Sequence, residues 1–175
     1  MRILLLLTIA SLARAQDPLS GVCFSPDERC EIPLASFLSS AKSTIDVAIY
    51  DINEPGIVGA ILKAQAQGVR IRIVCDKVQA AGPHSAIKKL ADAGVPLRYG
   101  HQKGIMHNKF AILDGGWLET GSFNYTVHAS QDNQENQLYT TDALALQRYK
   151  ARFELIWAGA TSVRPTPLTP APKPQ

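Results

Sequence analysis

The chain has 175 residues, of which 46% are hydrophobic and 19% charged. This argues for one packed globular domain and excludes a disordered, collagen-like or coiled-coil chain. Its 18 basic residues stand against 15 acidic ones, a formal +3 that falls to +1 if a leader carrying Arg2 and Arg14 is removed. So even a balance excludes binding of nucleic acid by bulk electrostatics, though not a local basic groove.

Met1-Arg2, the apolar stretch Ile3 to Leu12 and Ala13-Arg14-Ala15 follow the order of a charged start, a short hydrophobic segment and an A-x-A cleavage site. This predicts a signal peptide over residues 1–15, cut after Ala15, and an exported chain, periplasmic or secreted. The apolar stretch is about half of the ~20 residues a spanning helix needs, so no stable membrane anchor is expected. In an oxidising compartment the neighbouring Cys23 and Cys30 are expected to form a disulfide, ahead of a zinc site, for which no His lies at ligand spacing. Cys75, inside an apolar run, reads as an inert buried thiol.

Two β-branched runs, Ile45 to Tyr50 and Val69 to Cys75, flank a segment of helical spacing from Pro55 to Gln67 that Gly68 closes, which makes a βαβ unit. A second helix is predicted from His84 to Asp92, before Gly94. A short strand follows over Val95 to Arg98, placed at a sheet edge because of Pro96. Strands Lys109 to Leu113 and Trp117 to Gly121 are joined through a two-residue turn at Gly115-Gly116, then come a strand from Gln137 to Thr140 and a helix from Asp142 to Ala158. The fold class is α/β, a mixed β-sheet flanked by helices, occupying residues 16–163. Five of the 11 prolines fall in residues 164–175, which predicts a disordered Pro-rich tail.

The chemistry-bearing residues are His107, Lys109, Asp114, Ser122 and Asn124. Singly, each has an ordinary explanation: a surface strand, a turn, a helix cap. A turn at Gly115-Gly116 would instead set Lys109 opposite Ser122 and His107 opposite Asn124, with all four side chains on one face. Asp114, at the turn with the opposite parity, takes a supporting role. Lys109 offers a point charge, and Ser122 and Asn124 offer neutral donors, which suits the non-bridging oxygens of a phosphodiester. His107 can attack phosphorus or protonate a leaving oxygen. The sequence shows no acidic cluster for Mg²⁺ or Ca²⁺, so neither metal nor cofactor is expected.

The pattern His107-x-Lys109-(x)4-Asp114-(x)6-Gly121-Ser122-x-Asn124 resembles the HKD motif of the phospholipase D superfamily, with a likeness running from about Phe24 to Gly159. It is most similar to the small, exported bacterial endonuclease of that superfamily and more distantly to the mitochondrial cardiolipin hydrolase type. The resemblance implies a phospholipase D-like α/β sandwich, with His107, Lys109, Asp114 and Glu135 as the catalytic set and Lys109, Ser122 and Asn124 holding phosphate. It implies that Glu135 hydrogen-bonds the motif histidine and fixes its tautomer, and that a phosphohistidine intermediate forms. Because the chain carries one motif and no internal repeat, it also implies a homodimer with a shared active site. The expected substrate is DNA, and also RNA, with phospholipid headgroups as the alternative and an inactive phosphate-binding module as a third reading. No exposed amphipathic helix is evident, which favours nucleic acid. Lys77, Arg98 and Lys103 are candidates for the groove. His84, His101 and His128 match no motif position and are assigned to surface or loop, with His101 a candidate for the groove wall.

Overall fold

A computed structural model of the chain describes residues 21–100 and 103–163. The predicted leader, His101 and the Pro-rich tail lie outside the described residues. An eight-stranded mixed sheet is formed by β1 (Gly21–Ser25), β2 (Thr44–Ile49), β3 (Arg70–Cys75), β4 (Leu97–Tyr99), β5 (Lys109–Leu113), β6 (Trp117–Gly121), β7 (Glu135–Thr140) and β8 (Thr161–Ser162). Its strand order is β1-β7-β6-β5-β2-β3-β4-β8. Strands β2, β3 and β4 run parallel and every other pairing is antiparallel. The expected α/β sandwich is therefore the fold.

Helix α1 (Glu31–Ser39) packs beside α2 (Pro55–Ala66), while α3 (Lys77–Ala80), α4 (Ile87–Asp92) and α5 (Val127–Gln131) are short. Helix α2 forms where the sequence expects it: Pro55 opens it, the Glu54 carboxylate accepts from Ile57 N at 2.7 Å, and Gly68 leaves it at φ +86°. Its buried positions Ile57, Val58, Ala60, Ile61 and Ala64 make one stripe. That stripe joins Ile45, Val47, Ile49, Ile71 and Ile73 in the larger core.

The opposite face of the sheet meets a single described helix, α6 (Ala143–Gly159), through Ala48, Val74, Phe110, Ile112, Leu118, Leu146 and Phe153. Arg72 fastens it. The guanidinium lies 2.7 Å from Asp46 and from Glu154 and stacks over Phe153 and Trp157, 4.8 and 5.4 Å from their ring centroids. Arg98, expected in the groove, is spent here as well: it sits 4.1 Å over Trp157 and donates to the Trp157 carbonyl.

Three sequence expectations change. The strand near Pro96 is not at the edge, because β8 pairs with Arg98 and Tyr99 and covers it. Helix α4 begins at Ile87 rather than His84. The β5–β6 hairpin pairs Leu113 with Trp117 and Phe110 with Thr120, one residue out of the expected register. Its turn uses Asp114 (φ +49°) and Gly115 (φ +65°), with Gly116 N bonded to Leu113 O at 2.9 Å, so Gly116 is left over as a bulge.

The Cys23–Cys30 disulfide is formed, with Cα atoms 5.7 Å apart, and ties β1 to the start of α1. Burial pushes the free Cys75 thiol up to about 12, in keeping with an inert cysteine. Replacing Cys23 and Cys30 together by Ala should lower unfolding free energy by about 2–3 kcal/mol, the entropy expected for so short a loop. Urea unfolding of the oxidised wild type beside the double variant measures this.

Candidate active site

Strand direction gathers the motif at one end of the sheet. Because β5 is antiparallel to β2, Lys109 at its start faces Ile49 at the end of β2. Strand β6 returns to the same end at Gly121, opposite Gln137 of β7, and β1 arrives there with Ser25 opposite Glu135. The ends of β2, β3 and β4 lie alongside, the usual place for a ligand in an α/β sheet.

His107 is exposed, whereas Lys109 is 8% exposed. Lys109 Nζ lies 3.3 Å from His107 Nε2 and donates to the His107 carbonyl at 3.1 Å. An ammonium has no lone pair, so Nε2 must accept, and its lone pair points into the space the charge occupies. Burial lowers the Lys109 pKa, opposed by the charge of Glu135. Tyr50 supports both groups: its ring meets the imidazole edge-on with centroids 4.5 Å apart, and Nζ lies 5.3 Å from the same ring.

The shifted hairpin register puts Gly121, not Ser122, across from Lys109. Ser122 and Asn124 lie beyond the end of β6, so shared strand parity does not bring them to the site. Ser122 is exposed, and its Oγ accepts from Asn136 N at 3.1 Å, leaving its own proton free to donate. Asn124 is half-buried, with an Oδ1 that has no hydrogen-bond partner. Gly121 is needed for a steric reason: a Cβ there would lie 2.0 Å from the Asn136 carbonyl oxygen.

Asp114 sits at the far end of the hairpin. Its carboxylate accepts from Lys42 N, Ser43 N, Ser43 Oγ and Thr44 N at 2.7–2.9 Å. Partial burial works to raise its pKa, yet the backbone N–H groups of Thr44, Lys42 and Ser43 and the Ser43 hydroxyl hold it below the usual carboxylate range. Placed among catalytic residues by the resemblance, it is a positioning residue here. Glu135 also departs from the expected contact: its Oε1 accepts from Asn133 Nδ2 at 3.2 Å, and no hydrogen bond joins it to His107. In this single chain it acts on Lys109 by charge, and Tyr50 fills the place beside the imidazole. His84 is exposed, and exposed His128 pairs with Asp132 at 2.7 Å. Lys77 and Lys103 are exposed.

Residues 34–157 match the family model described as cardiolipin synthase, PLD-like domain. The chain belongs to the phospholipase D superfamily. A mitochondrial cardiolipin hydrolase of Xenopus laevis is 35% identical over 143 residues, 76% of this chain and 68% of that protein. A phospholipase D of Rickettsia bellii is 30% identical, covering 81% of this chain and 69% of its own. Among solved structures, the phospholipase D family member Nuc from Salmonella typhimurium superposes with a TM-score of 0.78 at 30% identity, over 82% of this chain and 97% of Nuc. The chain is a phosphodiesterase of this superfamily.

Spacing gave no hint of another residue in the superfamily motif region. Glu119, on β6, is fully buried, and its Oε2 accepts from the Tyr125 hydroxyl at 2.6 Å while Oε1 has no partner. Tyr125 in turn bonds through its backbone to Asp51, Asn53 and Glu54, which fixes the loop that carries Asn124. Burial pushes the Glu119 carboxyl up to about 8. Between its ordinary value near 4.5 and that value, the folded state holds a proton the unfolded state has lost, so stability must fall as pH rises across this window. Glu119→Gln cannot ionise and should remove this decline. Urea midpoints from pH 5 to 9 for both proteins measure the effect.

Proposed function

We propose that this phosphodiesterase is an exported nuclease of low sequence specificity that cleaves DNA, and also RNA, by way of a phosphohistidine. The observation that carries the reading is the Lys109 ammonium set against the lone pair of His107 Nε2. A phosphate oxygen drawn to that charge places phosphorus within reach of the nitrogen. His107 Nε2 forms a bond to phosphorus as the bond to the leaving oxygen breaks, and a second histidine gives that oxygen its proton. Water, deprotonated by the same second histidine, then attacks phosphorus and releases His107. Lys109, with donors from Ser122 and Asn124, offsets the charge that develops, so no metal is required in this scheme.

The chain supplies one motif, so the second histidine is proposed to come from a second copy across a two-fold axis. The face carrying α6 supports this. Val22, Phe24 and Leu138 lie exposed on it where no described helix covers β1 and β7, and Leu144 and Leu155 protrude from α6 at 66% and 69% exposure. A groove of about 800 Å³ on this face runs from Leu155 and Arg152 to Asn108, next to His107.

Hydrolysis of phospholipid headgroups is the second reading. It is favoured by the cardiolipin hydrolase and phospholipase D relatives, and by α6 itself, which presents Leu144 and Leu155 beside Arg148 and Arg152. Contrary to the expectation from sequence, α6 thus presents exposed apolar and basic side chains together. No helix among the described residues is long and apolar enough to cross a membrane.

Incubation with plasmid DNA, single-stranded RNA and cardiolipin vesicles in excess EDTA should show nucleic acid cut fastest, with His107→Ala below about one per cent of the wild-type rate. Faster cleavage of cardiolipin would select the second reading, and loss of activity restored by Mg²⁺ would sink the metal-free scheme. Co-refolding wild-type and His107→Ala chains should lower activity with the square of the wild-type fraction. Independent monomers would lose it linearly.

A further inference from the structure

His107 is held from two sides, and both sides lead back to one carboxylate. Asp76 follows β3 and is 4% exposed. Its Oδ1 caps α3, accepting from Val78 N at 2.9 Å and Gln79 N at 3.1 Å. Its Oδ2 accepts from Met106 N at 3.0 Å, one residue ahead of His107. Gln79, fixed in this way, donates through Nε2 to the Tyr50 hydroxyl at 2.8 Å, and the Tyr50 ring lies against the imidazole. The path from Asp76 through Gln79 and Tyr50 reaches the ring of His107, and the path through Met106 reaches its backbone. Met106 has little freedom of its own: it is buried in the core under α6, and its side chain lies where a Cβ on Gly100 would come within 2.3 Å.

We infer that Asp76 is a positioning residue of the active site, whose two oxygens separately fix the backbone that delivers His107 and the Tyr50 ring that orients its imidazole. The inference rests on the reading of His107 as nucleophile. A carboxylate is required because three N–H groups converge on it from two directions. Asn has a single acceptor oxygen, and its NH₂ would confront the Met106 N–H. Because a nucleophile displaced by an ångström loses much of its rate, the contact matters to catalysis although Asp76 touches no substrate.

The test is Asp76→Asn, which can keep the α3 cap but not the bond to Met106, compared with Tyr50→Phe, which keeps the ring and loses Gln79. Asp76→Asn should lower kcat on plasmid DNA about tenfold to hundredfold with KM within about threefold. Tyr50→Phe should lower it about threefold to tenfold, and the double variant should lose less than the product of the two, since one path through the backbone and one through the ring both fix the same residue, His107. The His107 ring resonances in NMR, assigned by their absence in His107→Ala, should shift in both single variants. Wild-type kcat well below the melting temperature, or unchanged His107 resonances in folded Asp76→Asn, would overturn the inference. Shifted resonances in a chain that cleaves no phosphodiester would uphold Asp76 and sink the nucleophile reading instead. If Asp76→Asn fails to fold, Gln79→Ala takes its place, and unchanged His107 resonances there and in Tyr50→Phe overturn the proposal.

Discussion

The register of the β5–β6 hairpin is the constraint on which the site depends. Side chains alternate along a strand, so a slip of one residue would exchange the two faces of β5 and carry Lys109 to the α6 side of the sheet. The register is pinned at Asp114. Its left-handed backbone conformation aims the carboxylate at four donors in Lys42, Ser43 and Thr44, where the chain enters β2. One residue therefore shapes the turn through its backbone and docks it onto the neighbouring strand through its side chain. The motif's acidic member is tied to its histidine and lysine by the geometry of β5, not by contact.

At the other end of β5 the problem is electrostatic. A nearly buried ammonium is costly unless something compensates it, and here the compensation is deliberately incomplete. Lys109 has a carbonyl, an imidazole nitrogen, the face of Tyr50 and the charge of Glu135 at a remove, but no carboxylate in contact among the described residues. A group so placed retains attraction for an anion, whereas Arg72, clasped by Asp46 and Glu154, has none to spare. The contrast separates a cation that builds the fold from one that is available to a phosphodiester.

Much of this was legible in the sequence. The apolar runs of β2 and β3, the capped α2 and the motif spacing each follow from local preferences that agree with the fold. The hairpin register was not, because Asp114-Gly115 and Gly115-Gly116 are both acceptable pairs for a turn with positive φ, and the choice is made by a contact with Ser43, about seventy residues earlier in the chain. Tyr50, Asp76, Gln79 and Glu119 were invisible for the same reason. Each is an unremarkable residue until the fold sets it beside His107, Met106, Tyr50 or Tyr125. The disulfide was readable from the closeness of its two cysteines in sequence together with the expectation of export. The short β1 and β8 had no signal of their own and exist because longer neighbours offer them an edge.

The three cysteines carry a consequence for oxidative folding. Any two of them could in principle join, and a bridge to Cys75 would trap a wrong chain. Cys75 lies in β3, covered by β2 on one side and β4 on the other, at 1% exposure, and its thiol is far from ionising. Once those three strands have assembled, the competing nucleophile is withdrawn and Cys23 and Cys30 have only each other. Burial at the centre of the sheet thus removes the one thiol that could compete for the bond at its edge.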